Sequence, residues 1–138
     1  MMKKNHLLLL FFCTACAGSK PHGNAADLQS WVGAWRGVAI IENSQQPVTE
    51  WFLQLTVQNG RLSGRISSAD GEFAQAIIKD IELTGYELKF TFSFETNRGL
   101  QATQRHVAVR QGHKLLSLFS GREGGHAFRG RWEARYEP

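Results

Sequence analysis

Hydrophobic and polar residues alternate with a period of two over most of this chain. Leu88, Phe90, Phe92 and Phe94 interleave with Lys89, Thr91, Ser93 and Glu95. Successive side chains of an extended strand point to opposite faces, so this segment has one dry and one wet side. The C-terminal segment repeats the pattern, with Phe128, Gly130, Trp132, Ala134 and Tyr136 on one face and Arg129, Arg131, Glu133 and Arg135 on the other. Earlier, Trp51, Leu53, Leu55 and Val57 alternate with Phe52, Gln54 and Thr56. No amphipathic helix interrupts the pattern; a short turn over Leu28–Trp31, capped by Asp27, is the one helical feature expected.

Turn residues divide these segments. Asn59-Gly60 is the strongest hairpin signal, because both residues accept positive φ. Asp70-Gly71, Thr84-Gly85, Asn97-Arg98-Gly99, Gln111-Gly112 and Gly124-Gly125 separate the rest. The spacing predicts eight strands, over residues 35–42, 48–57, 61–68, 73–83, 88–95, 100–110, 115–122 and 127–136. Short connections predict that consecutive strands pair as hairpins in an up-and-down meander. A flat meander would leave two unpaired edges and an uncovered apolar face. Closure into an all-β, eight-stranded antiparallel barrel removes both. Such a barrel is filled by its own side chains or holds one small ligand, and the pattern alone does not choose between them. Gly-Arg recurs at Gly64-Arg65, Gly121-Arg122 and Gly130-Arg131. These pairs are expected where a strand bends, with glycine relieving crowding and arginine solvating the outer wall.

The first residues read as an address. Lys3 and Lys4 precede the apolar run Leu7–Phe12, and Thr14-Ala15-Cys16 closes it with small residues. A charged start, a short apolar core and a small-residue cleavage site describe a secretory signal over residues 1–15, too short to span a bilayer. Cys16 after Thr-Ala resembles the lipobox of bacterial lipoproteins, although Cys13 replaces the usual aliphatic residue. The resemblance implies cleavage before Cys16 and acylation there with a fatty chain such as palmitate. Ala17 in place of Asp implies the outer membrane, facing the periplasm. Residues 16–27 are small, polar and turn-forming, the composition of a tether, and residues 28–138 form the barrel domain.

Two cysteines, both in the first sixteen residues, exclude a disulfide scaffold and a cysteine-based zinc site in the domain. Once Lys3 and Lys4 are removed, fourteen basic residues face twelve acidic ones. The charge is uneven. Residues 28–95 carry five basic and eight acidic groups, and residues 96–138 carry eight basic and three acidic groups. That basic side is too weak to suggest nucleic acid as a partner.

Gly33-Ala34-Trp35, after a short turn and at the start of the first strand, resembles the Gly-x-Trp motif of lipocalins and their calycin relatives. Short and without a disulfide or a helix after the barrel, the chain looks more like the small lipocalin-like domains of bacterial lipoproteins than a typical lipocalin. The resemblance implies that Trp35 plugs the closed end of the barrel and that a basic residue of the last strand, Arg135 with Arg131 as runner-up, packs over it.

The catalytic and cofactor inventory is thin. Gly-x-Ser-x-Gly, His-Glu-x-x-His, P-loop and dinucleotide-binding patterns are absent, which leaves no catalytic, metal or cofactor site to assign and points to a non-enzymatic protein. His106, His113 and His126 lack metal-ligand spacing and are expected at the surface or rim. The sharper feature is the sixth strand. If Val107 and Val109 face the lumen, Arg105 does too, and a buried cation needs an anionic partner. Arg105 and Val107, with walls of Trp51, Leu53, Phe90, Phe92 and Trp132, would then suit a ligand with a carboxylate or phosphate head and an apolar tail. Arg105 at the mouth, or a reversed register with His106 inward, is the alternative. Two functions follow: a carrier of a small hydrophobic or amphipathic molecule, or a solid barrel that recognises or inhibits an envelope protein.

Overall fold

The computed structural model describes residues 25–44 and 49–138. The expected signal segment 1–15, the expected lipidation site Cys16 and the expected tether as far as residue 24 lie outside the described residues.

The domain is all-β. A short helix α1 (Ala25–Gln29) leads into β1 (Gly33–Ile41), followed by β2 (Thr49–Gln58), β3 (Arg61–Ser68), β4 (Ala76–Ile77), β5 (Lys79–Thr84), β6 (Glu87–Glu95), β7 (Gln101–Gln111), β8 (Lys114–Glu123) and β9 (His126–Glu137). One antiparallel sheet runs in the order β4-β3-β2-β1-β9-β8-β7-β6-β5. Consecutive strands pair except across the β4–β5 break, and β9 returns beside β1, matching Trp35 to Tyr136 and Ala39 to Trp132. The hairpin after β2 turns on Asn59 and Gly60, at φ 54° and 75°, as the sequence predicts.

The strand count is nine, not eight. The segment expected to be one strand over 73–83 splits and changes partner. β4 pairs with β3, matching Ile66 to Ala76. β5 pairs with β6, matching Leu83 to Leu88. Between them Ile78 is buried and donates its N–H to the Gly64 carbonyl at 3.1 Å. Asp80 adopts φ 52°, and the β5–β6 register shifts between Lys79 and Glu82. Such a bulge bends a strand sharply. It carries the chain from one edge of the sheet to the other and nearly closes the barrel. The helix also begins earlier than expected, so Asp27 lies inside it rather than at its cap.

The core is aromatic and continuous. Trp35, Trp51, Trp132, Phe90, Phe92, Leu53, Leu55 and Leu88 are almost fully buried. At the closed end Leu28 and Trp31 seal the base, and the Trp35 indole N–H donates to the Trp31 carbonyl at 3.2 Å. Tyr136 packs on Trp35 with ring centroids 5.0 Å apart.

Gly37 is the tightest point of the wall. A Cβ there would be driven into the Glu133 carbonyl oxygen and would meet the Ala134 Cα at 2.5 Å. Gly64, Gly121 and Gly130 likewise face a neighbouring strand's backbone, which accounts for the recurring Gly-Arg pairs. Because backbone cannot move aside without breaking the β1–β9 ladder, Gly37→Ala is expected to cost at least ~3 kcal/mol or to prevent folding. Gly125→Ala, at a turn with nothing nearby, is expected to stay within ~0.5 kcal/mol. Urea unfolding of the two variants beside the parent checks the contrast.

Candidate functional site

Two features stand out from the packed wall: a polar chain inside the barrel and a cleft at its open end. Both are set by β7. Residues directly opposite each other in an antiparallel pair share a face. β6 places Phe90 opposite His106 and Phe92 opposite Gln104. β8 places Phe119 opposite His106 and Ser117 opposite Ala108. With the phenylalanines inward, Ala102, Gln104, His106 and Ala108 are inward too, and all four are buried.

This corrects two expected positions. Arg105 is exposed and Val107 half-buried, both on the outer wall. The physical reason is the cost of burial. A neutral imidazole with both nitrogens satisfied is far cheaper inside than a guanidinium without an anion. It also corrects the expectation that His106 lies at the surface. Its Nδ1 lies 2.8 Å from Ser117 Oγ and its Nε2 lies 3.1 Å from Gln104 Oε1. The glutamine oxygen can only accept, which puts the imidazole proton on Nε2 and leaves Nδ1 to accept from the Ser117 hydroxyl. Phe90 stacks on the ring at 4.7 Å and Phe119 at 5.2 Å, while Trp132 meets it edge-on at 6.2 Å. Burial lowers the His106 pKa to about 3.

A hydroxyl beside an imidazole is also the arrangement of a nucleophile and its base. Here Ser117 is fully buried, and an amide rather than a carboxylate holds the far nitrogen. The pair works as a satisfied polar tie between β7 and β8 inside an aromatic cage.

Above it lies the cleft, an open volume of about 1490 Å³ at the end of the barrel opposite Trp35. Trp51, Phe73 and Gln104 line its floor, and Phe94 and Phe128 line its sides. Trp51 meets Phe73 at 5.3 Å and Phe119 at 4.9 Å, so the floor is braced from below. Gln104 is only 3% exposed. Its oxygen is taken by His106, and among the described residues nothing accepts from its amide NH2.

The rim is charged and partly self-neutralised. Arg98 Nη2 lies 2.9 Å from Glu123 Oε2, and Arg129 Nε lies 3.0 Å from Glu42 Oε1. Asn97 donates to Glu72 at 3.3 Å, and the Glu72 N–H donates to Asp70 Oδ1 at 3.0 Å. Partial burial raises the Glu72 pKa, Glu123 and Asp70 add to the rise, and Arg98 opposes it. Arg105 and Arg122 border the cleft, and neither guanidinium makes a hydrogen bond or ion pair to the described residues.

The remaining expected wall residues are inward as read. Trp51, Leu53, Phe90, Phe92 and Trp132 are all buried. Of these only Trp51 reaches the cleft; the others fill the lumen against one another. At the closed end Trp35 is fully buried, but Arg135 is exposed on the outer wall opposite Arg36, and Arg131 is also exposed and faces Glu133. The cation over the indole comes from β7. The Arg110 guanidinium carbon lies 5.1 Å from the Trp35 ring and 5.2 Å from Trp31, and its Nη1 donates to the Ser30 carbonyl at 2.6 Å. β9 alternates so that Tyr136, not Arg135, shares the inward parity of Trp132 and Ala134. Of the three histidines, His113 stacks on Tyr136 at 5.8 Å and His126 borders the cleft. The described residues hold no group of three or more His, Cys, Asp or Glu arranged for a metal ion.

No family model, curated protein or solved structure matches this chain.

Because His106 is neutral when folded and takes up a proton when unfolded below about pH 6.5, acid favours the unfolded chain. The stabilisation is complete above about pH 6.5 and is lost as the pH falls toward about 3, at ~1.4 kcal/mol per pH unit within that window. Urea titrations between pH 4 and 7 are expected to show this slope, and His106→Gln to flatten it. An equal slope in the variant would assign the acid sensitivity elsewhere.

Proposed function

We propose that this chain is an envelope lipoprotein whose lipocalin-like barrel binds a small hydrophobic or amphipathic molecule at its open end. The observation that carries the reading is Gln104, a buried amide NH2 without an acceptor at the floor of an aromatic cleft. A buried unmatched donor costs ~1–3 kcal/mol, and a ligand oxygen placed on it would recover that cost. Trp51, Phe73 and Phe128 offer apolar walls, and the unpaired Arg105 and Arg122 offer an anion a partner at the edge.

The filled lumen limits the ligand. Phe90, Phe92, Leu53 and Trp132 leave no exposed surface for a tail below His106. The ligand therefore lies flat on Trp51 and is short or planar rather than a long chain threaded down the axis. The lipocalin resemblance is supported by Gly33-Ala34-Trp35 after a short helix, with Trp35 buried at the sealed base. Gly33 itself has φ +135°, and a Cβ there would lie 2.7 Å from the Tyr136 ring. On this reading β4 and β5 are one barrel strand broken by its bulge. The anchor is acylated Cys16, the tether leads from it to α1, whose first residues Ala25–Asp27 take up the end of the expected 16–27 segment, and the membrane is the outer one. No helix among the described residues is long and apolar enough to cross a membrane.

The packed lumen also favours a second reading, a solid barrel that recognises or inhibits an envelope protein through its rim. Native mass spectrometry of the full-length protein, purified from its own host, separates the two. The carrier reading expects a reproducible adduct, lost in Gln104→Leu and Phe128→Asp, and uptake by the parent of an added short-chain carboxylic acid or planar aromatic carboxylate. A protein that carries no adduct and takes up neither probe would remove the carrier reading in favour of the interaction module. For the anchor, Cys16→Ser is expected to move the protein from the membrane pellet to the soluble fraction and to remove the acyl mass. Retention in the pellet would sink it.

A further inference from the structure

The outer wall carries an apolar block that the cleft does not use. On β7 and β8, Val107 lies opposite Leu118 and Val109 opposite Leu116, four aliphatic side chains in two adjacent rows. Leu118 is 64% exposed, Leu116 47% and Val109 41%. Single exposed aliphatics are ordinary, but a contiguous block on neighbouring strands marks a contact surface.

Its flanks are charged in a specific order. The Val109–Leu116 row runs between Glu87 on β6 and Glu133 on β9. The Val107–Leu118 row runs between Lys89 on β6 and Arg131 on β9. One row is therefore acidic at both ends and the next is basic at both ends. Within the chain these charges meet only loosely, Lys89 with Glu87 at 3.8 Å and Arg131 with Glu133 at 3.8 Å, all well exposed. Exposed pairs of this kind contribute little.

We propose that this face is a self-association surface on which a second copy of the chain packs about a two-fold axis running across the strands between the two rows. That axis lays the acidic row of one copy on the basic row of the other. Glu87 meets Lys89 of the second copy, Glu133 meets Arg131, Val109 meets Val107 and Leu116 meets Leu118. The other in-plane two-fold, along the strands, would oppose acid with acid and base with base, so charge selects one orientation. An isologous patch of this sort closes as a dimer and does not propagate.

The next rows outward lie ~10 Å from the axis, from the ~6.6 Å spacing of same-face residues along a strand. There Arg129 would oppose Arg135, the one like-charged pairing. Two convex barrel walls have parted at that distance, and Arg129 is already held by Glu42 of its own chain at 3.0 Å. Two rows across four strands make a narrow contact held partly by exposed charges, so the dimer is weak and salt-dependent.

Sedimentation velocity of the full-length protein in a non-ionic detergent, over a concentration series, tests the proposal. A reversible monomer–dimer equilibrium is expected. Glu87→Lys with Glu133→Lys makes the face wholly basic, and Lys89→Glu with Arg131→Glu makes it wholly acidic. Each variant alone is expected to dimerise about tenfold or more weakly than the parent, and an equimolar mixture to recover the dimer as a heterodimer. Circular dichroism confirms that each variant is folded, and Leu118→Arg provides an independent disruption of the same block. A parent that stays monomeric at every concentration, charge variants that associate like the parent, or a mixture that fails to recover would each overturn the proposal. So would a monomeric parent that co-sediments with anionic lipid vesicles through this face, which would assign it to a lipid surface.

Discussion

An antiparallel sheet with no helix to cover it has two raw edges and one bare apolar face, and the structure depends on how those edges are brought together. Here the chain itself joins them. β4 is the last strand on one side, β5 the last on the other, and Ile78 stands between them with its side chain buried and its N–H on the Gly64 carbonyl. The left-handed turn at Asp80 and the register shift after Lys79 let one continuous segment serve both edges. Without that change of partner the apolar faces of the other strands would remain in water. Closure turns them into a core, and everything at the two ends follows from it.

Closure also sets what the interior can be. A small barrel is only as wide as the side chains that fill it. Three tryptophans, Phe90 and Phe92 occupy that space, and the inward residues of β7 are accordingly short or polar: Ala102, Gln104, His106 and Ala108. Polar groups survive there because each finds a partner, Ser117 for one imidazole nitrogen and Gln104 for the other. The series ends at the amide of Gln104, where the filled interior gives way to the open cleft. The boundary between packed core and accessible surface therefore falls at Gln104, whose oxygen faces the core and whose amide NH2 meets no acceptor among the described residues.

The outer wall obeys a different logic. Closed strands still have an outside, and there the alternation exposes Val107, Val109, Leu116 and Leu118 beside charges of both signs. Solubility alone would be served by any polar residues at these positions. An ordered pair of rows, acidic then basic, is more than solubility needs, and its self-complementarity gives the face a direction.

Much of this was readable from residue order. The dry faces of β2, β6 and β9 carry Trp51, Phe90, Phe92 and Trp132 against opposite faces that are polar but for Phe52, so their inward sets follow from periodicity. The turns follow from Asn-Gly, Asp-Gly and their like, because those residues accept positive φ. Trp35 at the sealed base was an expectation only of the resemblance of Gly33-Ala34-Trp35 to the lipocalin motif. β7 was not readable by hydrophobicity. Its valines outweigh a glutamine and a histidine on any apolar scale, yet the inward side had to be the one that fits beneath the phenylalanines of β6 and β8. Side-chain volume and hydrogen-bond partners on neighbouring strands settled that, and neither is a property of β7 itself. The same holds for the cation over Trp35. Arg110 takes that place because its strand ends beside the Trp31 turn, while Arg135 has the outward parity of its strand. The break at Ile78 left a trace in the sequence, since adjacent Ile77 and Ile78 interrupt the alternation, but the partner exchange it permits exists only once β3 and β6 stand on either side. A chain's local pattern states which faces are dry. Which dry faces meet, and therefore where the site lies, depends on strands far apart in sequence pairing in one register.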